Sequence, residues 1–399
     1  MASRLWLTGA GLALLLPTRD RLGIWLPLHM TLAGAVSVAI SGAMQGFAAA
    51  LTATQAPRYG FVMAQFVFVN LGAALVAVGY PSGHAWLVAT GGACFLSGMA
   101  LLGWILARAW RRSLNRRHGL PMAMYGAAVA AVLVGGTLGA LIGSSAVHDP
   151  VLWAGLRHAH MTVNVLGWVS LTIAGTQVTL LPTVLRVRMP SWHGAATALL
   201  LVGGVATIAA GVAMGREPVA AAGGAAYATG ALGVAWMIGR TMAVPRKWPV
   251  PLPAKHLVLA SAWFVAGSLA LAVALARGTE AFDAFRQVYL VVFVGGWIVQ
   301  TLLGAWQYLL PMARPGHPDE RRRWLAAVEF GWALQLLSLN GGLVLMALRG
   351  AGWISGTWGA IGVGLALGGG ALALLKAWAF ALLSKAPVLS RRQLGVWGA

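Results

Sequence analysis

The stretch Arg157-His158-Ala159-His160-Met161-Thr162-Val163-Asn164 sets two imidazoles, a guanidinium and a carboxamide at the head of an apolar run that ends at Leu180-Leu181-Pro182. Imidazole is a metal ligand and a proton carrier near neutral pH. Inside a bilayer-spanning helix such a group is costly enough to be read as functional first. Two positions along a helix differ by about 200° of rotation, so His158 and His160 point to opposite sides and serve different neighbours. His29-Met30-Thr31 repeats the triplet His160-Met161-Thr162 131 residues earlier and supplies an imidazole from another helix. Two imidazoles from different helices suit the axial positions of a haem iron. Asn164, one turn beyond His160, is placed to orient the ring as an outer partner. Arg157 and Arg286 can pair with carboxylates such as haem propionates, and equally serve as interfacial anchors.

These residues need an apolar scaffold to position them, and the composition supplies one. Of 399 residues, 59% are hydrophobic and only 9% charged. Apolar runs of about 20 residues, the length of a bilayer core, recur along the chain. No polar stretch is long enough for a folded soluble domain, so residues 1–399 form one integral membrane domain. The fold class is all-α, a polytopic transmembrane helical bundle. Apolar segments run over 24–51, 61–79, 85–107, 122–146, 157–185, 193–214, 219–242, 256–276, 288–312, 325–348 and 353–383. A shorter piece at 5–16 makes eleven spans or twelve.

The formal charge of +20 would suggest nucleic acid in a soluble protein. Here topology accounts for it, and no nucleic-acid partner is expected. Alternate loops carry nineteen Lys and Arg on one side, including Arg58, Arg108, Arg111, Arg112, Arg116, Arg117, Arg246, Lys247, Arg314, Arg321, Lys385, Arg391 and Arg392. The other side carries seven. Basic residues are retained in the cytoplasm, which puts the C-terminus inside and starts the helix of His158 and His160 at the outer face. A bacterial-type inner membrane and a lipid bilayer partner follow. His29, His84, His148, His158 and His160 then lie toward the outer face, whereas His118, His193, His256 and His317 sit at inner ends or loops, where interfacial solvation is expected. His84 and His148 lie in short outer loops, where solvation is expected first and a copper site second, since imidazole suits copper. The single Cys94 excludes an intrachain disulfide or a multi-cysteine zinc site.

A shift of 129 residues lays Arg157, Gly167, Trp168, Gly175, Leu180, Leu181 and Pro182 onto Arg286, Gly296, Trp297, Gly304, Leu309, Leu310 and Pro311. With the His29 match, this describes three pseudo-repeated four-helix arcs, about 1–120, 121–250 and 251–399. The special residues open the second helix of each arc. In the third arc Gln287 and Tyr289 stand where histidines would fall. The buried polar residues Gln45, Gln65, Asn70, Gln177, Gln300, Gln307, Gln335 and Asn340 either line a path or bond helices together. Glu329 alone is a candidate proton carrier.

Twelve spans in three arcs, with outer-side histidines opening helices two and six, resemble the haem-copper oxidase subunit I superfamily. Trp153-Ala154-Gly155-Leu156-Arg157-His158-Ala159-His160-Met161, followed by Leu166-Gly167-Trp168 and Ala174-Gly175, is similar to the NnrS family of haem-copper membrane proteins linked to nitric oxide tolerance. Met161 stands where that family has an acidic residue. The resemblance implies haem and a possible copper ion, with His29, His158 and His160 as metal ligands. It also implies a redox, nitric-oxide-related or gas-sensing role, with a small gaseous ligand and an electron-donor protein as partners. The chain has no adjacent His-His pair, no His followed one turn later by Tyr and no run of intramembrane carboxylates, so oxygen reduction with proton pumping is not implied. The residues alone leave open a transporter of a metal ion or small solute, and a structural subunit of a redox complex.

Overall fold

With no water in a bilayer core, backbone N–H and C=O groups must be satisfied within the segment, which selects helices. The computed structural model describes residues 1–245, 249–312 and 318–383, without the side chains of 318–321 and 381–383. Arg246, Lys247, Arg314, His317, Lys385, Arg391 and Arg392, and the side chain of Arg321, therefore lie outside the described residues. Among the described residues there is no strand. The helices are α1 (Ala2–Ala13), α2 (Trp25–Thr52), α3 (Tyr59–Gly79), α4 (Ala85–Arg111), α5 (Gly119–Gly143), α6 (Pro150–Leu185), α7 (Gly194–Ala213), α8 (Glu217–Ala243), α9 (Leu252–Ala276) and α10 (Thr279–Met312). They continue with α11 (Pro318–Glu329), α12 (Trp332–Gly350) and α13 (Gly356–Leu383). Eleven of them, all but α1 and α11, are long and apolar enough to cross a membrane.

Two boundaries differ from those expected. Helix α6 starts at Pro150, not Arg157, because Asp149 caps it: the Leu152 N–H donates to Asp149 Oδ1 at 2.7 Å, and Pro150 takes the first helical position. An acidic cap followed by Pro is a strong helix start. It moves His158 and His160 two turns into the helix. Helix α12 likewise starts late, because Gly331 adopts φ 63° and separates it from α11.

Three helices, α2, α6 and α10, contain π-helical turns, at Met30–Val36, Val163–Val169 and Leu290–Val299. Such bulges are rare and concentrate at functional sites. In the first two, a serine follows the bulge and its hydroxyl donates to the carbonyl five residues back: Ser37 to Leu32 at 2.8 Å, Ser170 to Val165 at 2.7 Å. The three π-helical turns lie in the three helices that the sequence shifts matched.

Close helix contacts recur along the chain. A Cβ built on Gly72 of α3 would lie 2.7 Å from Gly91 O of α4; one on Gly223 of α8, 3.0 Å from Gly204 O of α7; one on Gly342 of α12, 2.5 Å from Gly362 O of α13. Small residues let the backbones of membrane helices approach. Helix α1, only 12 residues and about 18 Å long, nevertheless packs as the first helix of a repeat. Its Trp6 ring lies against Gly34 and donates to Asn70 Oδ1 at 2.9 Å. In the third repeat Trp263 lies against Gly296 and donates to Asn340 Oδ1 at 2.8 Å.

The chain packs as two compact units. The first comprises Met1–Gly175 with Val202–Gly223; the second, Thr176–Leu201 with Gly224–Ala399. Tryptophans anchor the first unit through Trp168, whose indole donates to Ser37 Oγ at 3.0 Å. In the second, Phe264 stacks on Trp297 with ring centres 4.6 Å apart.

Glu329 is held as a cap. Its Oε1 accepts the N–H of Leu252, the first residue of α9, at 2.6 Å. Lys376 Nζ donates to the carbonyls of Val328 and Phe330 at 2.8 and 2.7 Å, closing the end of α11. Glu329→Ala is expected to cost about 1–2 kcal/mol, the value of a helix cap, read as a lower thermal midpoint of the purified protein.

Candidate functional site

The π-helical turns of α2 and α6 sit just beyond His29 and His160, and the two imidazoles meet in the first unit. Their ring centres are 6.4 Å apart with planes 10° from parallel. Both rings are held by the same kind of bond. His29 Nδ1 is 2.9 Å from Trp25 O, and His160 Nδ1 is 2.7 Å from Gly135 O on α5. A carbonyl oxygen only accepts, so the proton of each neutral ring is on Nδ1. Each Nε2 is left with its lone pair, the state in which imidazole binds metal.

The neighbours fix the rings further. Trp25 stacks on His29 with centres 4.0 Å apart, and Tyr80 stacks on Trp25 at 4.3 Å. Asn164 Nδ2 donates to the His160 carbonyl at 2.8 Å and lies 3.2 Å from His160 Nδ1, so it packs along the ring edge. Two glycines of α5 make room: a Cβ on Gly135 would collide with the Asn164 amide, and one on Gly139 would lie 2.5 Å from His160 Cε1. Trp25, Tyr80, Gly135 and Gly139 were not singled out from the sequence. Gly135-Gly136-Thr137-Leu138-Gly139 carries a small-residue face, which is the signal that could have found the last two.

Gly139→Ala is expected to push the His160 ring off the Gly135 carbonyl, at about 1–3 kcal/mol of overpacking. Gly126→Ala on the same helix, where a Cβ meets nothing within 4 Å, should leave the thermal midpoint almost unchanged. Comparing thermal midpoints and bound metal in the two variants checks this.

The other expected site residues are placed elsewhere. His158 is buried, and its Nε2 lies 3.4 Å from Arg157 Nη2, a cation beside the nitrogen that would bind a metal. The Arg157 guanidinium also lies 5.3 Å from the Trp153 ring centre. Among the described residues no three His, Cys, Asp or Glu side chains form a metal-sized group, so His29, His158 and His160 do not converge as a triad. Arg286 is exposed on α10, in the second unit. Tyr289, at the third-repeat position, is fully buried with an unpartnered hydroxyl. His84 and His148 are exposed.

His256 departs from the expectation of an interfacial, solvated histidine. It is fully buried, and its Nε2 accepts from the Gln335 amide at 2.7 Å. Most of the buried amides bond helices together: Gln45 donates to Gln65 Oε1 at 3.1 Å, and Gln177 to Ser261 Oγ at 3.0 Å. Gln300 and Gln307 differ, because both amide atoms of each are buried without a partner.

In comparison with known proteins, no family model matches the chain, and no curated protein matches it.

Proposed function

We propose that the chain is an integral membrane haem-binding protein with a redox or nitric-oxide-related role, in which His29 and His160 would hold the haem iron. The observation that carries this reading is the pair of imidazoles tied through Nδ1 to backbone carbonyls. The ring centres are 6.4 Å apart and each ring keeps an unprotonated Nε2, a donor set of the kind that holds haem iron.

The chain's own residues pre-set the tautomer, and the stacked Trp25 and the Gly139 contact hold the rings before any metal arrives. That reduces the ordering cost of binding. When bound, a haem would supply reversible one-electron chemistry. Arg157, at the same end of α6, is the residue offered for a propionate. Copper between the same two imidazoles is a narrower form of the reading, separated from haem by metal analysis. The proposal includes an inner membrane of bacterial type, a cytoplasmic C-terminus on the Arg-rich side, and an electron-donor protein as partner.

The test is a visible spectrum of the detergent-purified protein from haem-replete cells, oxidised and then dithionite-reduced, with iron and copper measured. A Soret band that sharpens on reduction, with about one iron per chain for one histidine pair, supports the reading. Added nitric oxide then asks whether one imidazole yields its position. A colourless, metal-free protein overturns it. A transporter is the second reading, favoured by the unpartnered Gln300 and Gln307 in the second unit, and predicts solute flux without a chromophore.

A further inference from the structure

Arg58, Arg108 and Arg112 converge on one cavity of ≈ 390 Å³ in the first unit, a volume within the range of ligand sites. Its walls are the end of α2 at Gln45 and Ala48, the connection of residues 53–58, the start of α3 at Phe61 and the end of α4 from Trp104. No carboxylate lines it. Among the described residues none of the three guanidiniums pairs with an acid. Arg108 lies 5.4 Å from the Trp104 ring centre, a contact that leaves its N–H fork free.

The cavity is built rather than incidental. Leu114 N–H and Ser113 Oγ both donate to Thr52 O, at 3.1 and 3.4 Å, and Thr52 and Thr54 hydroxyls are 2.8 Å apart. These bonds tie the end of α4 to the end of α2. Gln45, 5% exposed, lines the cavity with a buried Oε1 that accepts from nothing. An unpartnered acceptor of this kind favours a ligand that brings an O–H. Phe61 meets Trp104 edge-on at 4.8 Å, and both rings are partly exposed, an apolar wall where the spans end.

Three like charges around one concavity repel one another, and an anion relieves that repulsion. Guanidinium forks match phosphate oxygens two at a time. Basic pockets between helix ends at the membrane surface suit anionic headgroups. We infer that this cavity binds the phosphate-ester headgroup of an anionic phospholipid: the three arginines hold the phosphate, Gln45 Oε1 accepts a headgroup hydroxyl, and an acyl chain runs along Phe61 and Trp104. The inference does not rest on the histidine pair, and its failure leaves the haem reading untouched.

The experiment uses the full chain in a neutral detergent, with phosphatidylglycerol, phosphatidylcholine or inorganic phosphate added in turn. Thermal unfolding and native mass spectrometry are the readouts. Phosphatidylglycerol is expected to raise the thermal midpoint saturably by about 3–5 °C and to remain bound at one per chain, with phosphatidylcholine inert. The triple variant R58Q/R108Q/R112Q loses both responses. The variant R111Q/R116Q/R117Q, with the same charge change outside the cavity lining, keeps them. An equal response to inorganic phosphate alone assigns the same phosphate site to the free anion. Equal losses in both triple variants, or no selectivity between the two lipids, overturn the site.

Discussion

His160→Ala is expected to remove the visible chromophore of the purified protein, and His29→Ala to do the same. Each imidazole is held with Nδ1 on a carbonyl and Nε2 free, so neither position has a second donor to fall back on. Among the described residues no third His, Cys, Asp or Glu side chain joins the pair. Outer partners of a metal ligand are worth about 10- to 100-fold in affinity, and loss of the ligand itself is expected to exceed that. The double variant should be no worse than either single one, because the two rings act as a unit. His158→Ala, with its Nε2 beside Arg157, should retain the chromophore. Imidazole added to His160→Ala is expected to restore part of the band, which separates a lost ligand from a misfolded chain. Retention of a full band in both single variants would sink the ligand assignment.

The second large effect concerns packing. Gly342→Ala is expected to destabilise the protein by about 2–4 kcal/mol, in the range of severe overpacking. A Cβ there would collide with the backbone N of Ala366 and lie 2.5 Å from Gly362 O, and neither atom is the end of a flexible side chain. The α12–α13 pair must then separate along its length. Its neighbour supplies the control. Gly341→Ala meets nothing within 4 Å and should be neutral or stabilising by up to about 1 kcal/mol, the helix propensity difference. Thermal midpoints of the two variants decide the matter, and equal midpoints would contradict the close approach. The same contrast is expected at Gly72 and Gly223, where the built Cβ lies 2.5 Å from Phe95 N and from Ile208 N.

Hydropathy alone determined the helical class and the positions of eleven spans, because the bilayer requirement acts on each segment separately. The sequence matches of His29-Met30-Thr31 with His160-Met161-Thr162, and of Trp168 with Trp297, mark the helices that carry π-helical turns. Residue type and depth paired His29 with His160 as candidates. Only the tertiary structure decided that the two rings lie 6.4 Å apart, that Trp25 and Gly135 fix their tautomers, and that His158 turns to Arg157. It likewise turned Glu329 from a lone carboxylate into the cap of α9, buried His256 against Gln335, and gathered Arg58, Arg108 and Arg112 around one cavity. The physical reason is common to all of these. Span formation depends on sums along one segment, whereas a tautomer, a cap or a charge cluster depends on which atoms of other helices lie within about 3–4 Å, and that distance exists only once the helices have packed.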